Sequence, residues 1–205
     1  MTRTSNPSAL ASALASAAMV RLLLYFALHP DDVVHVRELG RRTGLAMASL
    51  QNELARLQRL GLIVRERQGH RVLYRADPAS PRWGPFRALI RQLAHPAEVL
   101  REAFSGVEGV DAAFVFGSHA RGDTRSDSDV DLFVVGDEAA QREVRDPLSE
   151  AESLLGRDVD VIAYTRERVS SRVDSGSAFL RRVLQEPKQW VAGDARALDS
   201  LGARP

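Results

Sequence analysis

The chain has 205 residues, 44% of them hydrophobic and 27% charged, which is enough apolar material to fill two small cores and excludes a disordered class. It has no cysteine, so disulfides and thiolate metal ligands are excluded, and it has no run of about 20 apolar residues to span a membrane; the cytoplasm is the expected setting. A formal net charge of +1 hides an asymmetry: residues 35–76 hold nine arginines against three glutamates, net +6, while residues 107–160 hold fourteen acids against five arginines, net −9.

In chain order, the Ala-rich stretch 9–20 is broken by serines and runs on into a helix, so it does not read as a secretory signal. The first few and last several residues are expected to be mobile. Residues 19–28 form an apolar helix with Val20, Leu23, Leu24 and Ala27 in period, ended by His29-Pro30. Residues 36–43 predict a short helix, Gly44-Leu45 a turn, and residues 48–60 a longer helix with Leu50, Leu54 and Leu57 on its apolar stripe. A strand begins at Gly61-Leu62-Ile63-Val64, turns at Gln68-Gly69 and returns through residues 71–75. The spacing is that of a helix-turn-helix followed by a β-hairpin wing.

On these residues, chiefly the R-E-L-G-R-R-T-G-L helix and turn and the L-x-R-L-G-L-I helix end, the first half resembles the winged helix-turn-helix of small bacterial regulators of the arsenic-repressor and multiple-antibiotic-resistance-repressor groups. The resemblance implies a double-stranded DNA partner and a homodimer. Ser49, Gln51 and Asn52, near the start of the longer helix, are placed to reach base edges in a major groove. Arg56, Arg65, Arg67 and Arg71 are placed to neutralise phosphates. The competing reading is a module kept for dimerisation or protein contact, its arginines a solvated surface.

Residues 77–85 have linker composition, and residues 86–104 read as a helix broken at His95-Pro96. Trp83 and Phe86 are expected to pin the domains together. Further on, residues 112–116 and 130–135 read as buried strands. Between them stands Gly117-Ser118-His119-Ala120-Arg121-Gly122, followed by Asp129-Val130-Asp131. Gly117 and Ser118 open a turn whose N–H groups, hydroxyl and helix N-terminus suit a triphosphate, with Arg121 adding a cation. Residues two apart on a strand share a face, so Asp129 and Asp131 can converge on a divalent ion. Residues 157–164 predict a further strand with Val159, Val161 and Ala163 on one face and Asp158, Asp160 and Ile162 on the other; Asp160 lies deeper and Asp158 at the entrance. His119, Asp123 and Asp127 read as exposed turn or loop residues. The spacing of Asp127, Asp129, Asp131 and Glu138 superficially matches a calcium loop, but Leu132 stands where such a loop needs glycine. Beyond these, residues 178–184 read as an amphipathic helix, and Trp190 is expected to pack near the C-terminus.

The compound pattern G-S-x-x-R-G (117–122), S-D-x-D-L (128–132) and a later aspartate, Asp160, resembles the minimal nucleotidyltransferase domain of the DNA polymerase beta superfamily over residues 99–193. The resemblance implies an α/β domain with a mixed sheet, making the chain α+β, with two Mg2+ ions held by Asp129, Asp131 and Asp160. It also implies Gly117, Ser118 and Arg121 on the nucleotide, and in-line attack of an acceptor hydroxyl on the α-phosphorus of a nucleoside triphosphate. The expected organisation is a winged helix at 14–78, a linker and connecting helix at 79–98, and a nucleotidyltransferase domain at 99–193. The acceptor, protein or RNA, is left open. The alternatives are a transcriptional regulator whose second domain senses nucleotide or a partner without catalysis, and an antitoxin-like protein.

Overall fold

A computed structural model of the chain describes residues 16–122 and 129–200, so Asp123, Asp127, Ser128 and the chain termini lie outside the described residues. Two units divide between His95 and Pro96, within the stretch read as connecting helix.

The first unit runs through Ala17–Leu28 (α1), Val34–His35 (β1), Val36–Thr43 (α2), Met47–Arg59 (α3), Ile63–Gln68 (β2), Arg71–Ala76 (β3) and Trp83–Leu93 (α4). Ser16 caps α1 by accepting from the Met19 N–H at 3.1 Å. The helix stops at Leu28 because Pro30 disfavours helical geometry at His29. Its apolar stripe widens to the whole circumference: Leu22 to Leu28 are all buried, together with Val20. Gly44, at φ 65°, ends α2 in the left-handed geometry that lets α3 start three residues later.

Leu50, Leu54 and Leu57 of α3 meet Leu22, Leu23 and Phe26 of α1 and Leu39 of α2 in one core. Each such fully buried side chain is worth about 1.5–3 kcal/mol. The two strands of the wing pair antiparallel from Ile63↔Ala76 to Gln68↔Arg71. The two-residue β1, too short for a periodic signal in the sequence, joins the outer edge of β3 through Val34↔Tyr74 and His35↔Leu73. Trp83 and Phe86 pack against this same core, and the Trp83 indole N–H donates to the Leu62 carbonyl at 3.0 Å.

The second unit runs through Pro96–Ala103 (α5), Val110–Val115 (β4), Gly117–Arg121 (α6), Val130–Gly136 (β5), Glu138–Glu143 (α7), Arg145–Leu155 (α8), Val159–Tyr164 (β6), Arg166–Asp174 (α9), Ala178–Gln185 (α10), Gln189–Ala192 (β7) and Ala195–Ser200 (α11). The sheet order is β6-β5-β4-β7, with β5 and β6 parallel and the other neighbours antiparallel, which makes it mixed. Phe114 of β4 stacks on Phe133 of β5, ring centroids 5.3 Å apart, and Trp190 of β7 meets Phe114 edge-on, also at 5.3 Å. Around them pack Val169 of α9, Leu180 and Val183 of α10, and Leu198 of α11.

Strand β7 is invisible to local reading, since its four residues are fixed by nonlocal pairing to β4. On β5, Phe133 and Val135 share a face with Asp131; on β6, Ile162 and Tyr164 share one with Asp160. An apolar sheet face therefore turns acidic at one end.

Candidate functional site

In the second unit, the acidic end of the sheet is set by register. Along the parallel ladder of β5 and β6, Asp131 stands directly opposite Asp160, with Val130 opposite Val159 and Leu132 opposite Val161. The Val130 N–H donates to the Asp158 carbonyl at 3.1 Å, so Asp158 sits just before β6 begins. Asp129 stands just ahead of β5 and is exposed. Its charge is felt at Asp131, whose carboxyl is raised above its ordinary value, first by burial and then by Asp160, with Asp129 adding to the rise. His119 and Arg121 pull the other way. The structure thus brings Asp131 and Asp160 side by side. Among the described residues no group of three His, Cys, Asp or Glu side chains is gathered closely enough to hold a metal, so Asp129 stands near the pair without completing a cage.

The short helix α6 leaves β4 directly over Asp131. The Phe116 N–H donates to the Asp131 carbonyl at 3.0 Å, and Gly117 takes φ 69° to turn the chain into the helix. A Cβ at Gly117 would collide with Asp131 Oδ2 and lie 3.1 Å from its Cγ. Only glycine lets the backbone approach the carboxylate this closely. Ser118 follows in the first turn of α6, half-buried. Arg121 closes the helix and pairs with Glu186 at 3.4 Å.

His119 is not an exposed turn residue: it is 4% exposed, because α6 lies against the sheet and Gln189 of β7 donates its side-chain N–H to the His119 carbonyl at 3.1 Å. The clue missing from the sequence was β7. Beside Asp129, an open cleft is lined by Ser149, Glu152 and Ser153 of α8 and by Arg157 and Asp158 of the following turn.

The donor set suits a hard divalent cation. Asp129, Asp131 and Asp160 offer oxygen only, the charges of Asp129 and Asp160 both disfavour the ionised form of Asp131, and the Gly117 backbone lies close against the Asp131 carboxylate.

In the first unit, Ser49, Gln51 and Asn52 are exposed on the first turns of α3, opposite the buried Leu50, Leu54 and Leu57. Arg65, Arg67 and Arg71 are exposed on the wing, with Arg67 opposite Val72 and Gln68 opposite Arg71. Arg56 differs: it pairs with Glu53 at 3.0 Å, and Glu53 also accepts from the Ser16 hydroxyl at 2.8 Å. Arg41 and Arg42 converge on Glu38, and Arg75 on Glu66. Among the described residues this leaves Arg37 of α2, Arg59 of α3 and Arg65, Arg67 and Arg71 of the wing without a carboxylate partner. A groove there brings His35, Arg37 and His70 beside Gln51 and Arg71. Sequence reading missed those first three because their proximity depends on β1 pairing with β3.

Comparison with known proteins agrees with this division. Residues 98–173 match the family described as polymerase beta, nucleotidyltransferase, and residues 17–71 match the MarR family. No curated protein matches the chain. Among solved structures, a mutant of the toxin-antitoxin MntA-HpeT is similar at 17% identity and a TM-score of 0.37, over 51% of this chain and 79% of that one. A toxin-antitoxin with AMP-PNP is similar at 16% identity and a TM-score of 0.34, over 53% of this chain and 81% of that one. Residues 17–71 thus form a MarR-type winged-helix domain and residues 98–173 a nucleotidyltransferase domain of the polymerase beta kind.

Proposed function

We propose that the second unit transfers a nucleoside monophosphate from a nucleoside triphosphate to an acceptor hydroxyl, releasing pyrophosphate, and that the first unit couples this activity to double-stranded DNA. The observation that carries the reading is the register pair Asp131↔Asp160 with the Gly117 backbone packed against Asp131. Few structural needs explain two carboxylates side by side at a strand mouth beneath a glycine turn.

In this reading the N–H groups at the start of α6 and the Ser118 hydroxyl hold the triphosphate, and Arg121 supplies a positive charge to it. Asp129, Asp131 and Asp160 would hold two Mg2+ ions, which when bound neutralise phosphate charge and acidify the acceptor hydroxyl. Asp160, on the edge strand β6, lies on the acceptor side. The cleft along α8 beside Asp129 offers the acceptor, protein or RNA, an approach. The rest of the rate acceleration comes from fixed positions: the strand register and the α6 turn are set before substrate arrives. On the first unit, Ser49, Gln51 and Asn52 contact base edges while Arg56, Arg65, Arg67 and Arg71 contact phosphates, in a cytoplasmic homodimer of the family's usual kind.

The test is incubation of the purified protein with Mg2+, α-labelled nucleoside triphosphates and a lysate of its host, beside Asp129→Ala and Asp131→Ala. Label transferred by wild type alone supports the transferase and identifies the acceptor. The DNA-binding domain favours a second reading, a transcriptional regulator or antitoxin-like protein that senses nucleotide without transferring it. Nucleotide retained by wild type with no label transferred supports that one. Magnesium-dependent nucleotide binding that persists unchanged in both variants sinks the metal-ligand assignment.

A further inference from the structure

Met47, the first residue of α3, is 42% exposed, although the leucines of the helix, Leu50, Leu54 and Leu57, are buried. Its thioether end reaches toward α2: a Cβ built at Gly40 would lie 4.0 Å from Met47 Cε. Met47 and Gln51, four residues apart on one face of α3, line a single groove with Val36 and Arg37 of α2 and Arg71 and Val72 of the wing. Among the described residues, neither Arg37 nor Arg71 is engaged by a carboxylate.

The groove thus gathers two arginines, the Met47 thioether and the Gln51 carboxamide, with His35 and His70 also in its lining. An anion alone would be satisfied by the arginines and would leave the methionine with nothing to do. Duplex DNA uses all of it. Phosphates meet the arginines, a glutamine amide matches adenine N6 and N7 in the major groove, and an apolar side chain matches the thymine 5-methyl. A polarisable, unbranched thioether adapts well to such a methyl group. Four helical residues rise about 6 Å, so the two side chains reach positions one to two base pairs apart.

We propose that Met47 and Gln51 are specificity-determining residues of the DNA-binding domain, Gln51 selecting an adenine and Met47 a thymine methyl one or two base pairs away. The inference rests on DNA binding by the first unit and goes beyond it to name what is read.

The experiment uses the full chain to select duplexes from a random-sequence library, then replaces each thymine of the enriched site in turn by deoxyuridine, which lacks only the methyl group. Wild type is expected to lose about fourfold in affinity at one such position, the worth of one buried methyl group. Met47→Ala is expected to be indifferent to that replacement, and Met47→Leu to keep the sensitivity. Gln51→Ala is expected to relax the adenine preference at the neighbouring position. Thermal unfolding of each variant alongside wild type separates lost contacts from lost folding. Deoxyuridine tolerated everywhere, or an unchanged methyl effect in Met47→Ala, overturns the assignment. Binding equal for every duplex sequence overturns it as well, leaving phosphate contacts alone. Retention of no duplex at all overturns the DNA reading beneath it.

Discussion

The sharpest prediction concerns Gly117→Ala, with Gly122→Ala as its internal control. Both glycines occupy left-handed backbone, at φ 69° and 82°. Alanine at either costs about 1–2 kcal/mol for that conformation alone. They differ in surroundings: a Cβ at Gly122 meets nothing within 4 Å, whereas one at Gly117 collides with Asp131 Oδ2 and stands 3.1 Å from Cγ. The carboxylate cannot retreat freely, because Asp131 is locked in the β5 ladder opposite Val115's strand and Asp160, and its carbonyl accepts from Phe116.

Gly122→Ala should therefore lower the melting temperature by roughly 4–16 °C, at the usual 4–8 °C per kcal/mol for a domain of this size, and leave nucleotide transfer nearly intact. Gly117→Ala should lower it further and, by displacing the Asp131 carboxylate by a substantial fraction of an ångström, cost transfer on the order of 10²-fold. Calorimetry and transfer of α-labelled nucleotide measure the two effects separately. Equal melting temperatures and equal transfer rates for the two variants would refute the close approach of α6 to Asp131.

Asp160→Asn removes the charge that, after burial, does most to raise the Asp131 carboxyl, so Asp131 should titrate lower in the variant by carbon-detected NMR; an unmoved titration would contradict the pairing. Replacing Arg65, Arg67 and Arg71 together by alanine should reduce the slope of log affinity against log salt by about 2.7, three phosphate contacts' worth, and a slope equal to wild type would exclude the wing. Glu38 is held at about 2, below its ordinary 4.5, by its hydrogen bonds to Arg41 and then Arg42. A depressed carboxylate contributes stability that is full above its unfolded value and fades as pH falls from about 4.5 toward 2. Glu38→Gln should lack that acid-side loss; identical denaturation profiles for both proteins between those pH values would show that the pairing contributes nothing.

Much of the fold was legible because local signals agreed with one another. The leucine stripe of α3, Gly44 at the end of α2, the Gln68-Gly69 turn and the break at His95-Pro96 each have a cause within a few residues of chain. The candidate site was legible for a different reason: a strand-glycine-serine turn and alternating aspartates are chemical demands that few sequences meet by accident. What could not be read depends on pairing across distance. Nothing around His119 announces burial, because the cover comes from β7, seventy residues away, through Gln189. The groove of Met47, Gln51 and Arg71 likewise exists only once α2, α3 and the wing are folded together, with β1 bound to β3.

By itself, then, the sequence determined the winged-helix order, the α+β class, the glycine turn and the aspartates, since these follow from short-range sterics and strand periodicity. Only the tertiary structure decided that β5 and β6 pair in the register that sets Asp131 opposite Asp160, that α6 is fastened by β7, and which arginines are already neutralised by neighbouring carboxylates. The physical reason is that strand register and ion-pair partners are selected by the packing of the whole sheet and core, where a shift of one residue would turn every side chain to the wrong face.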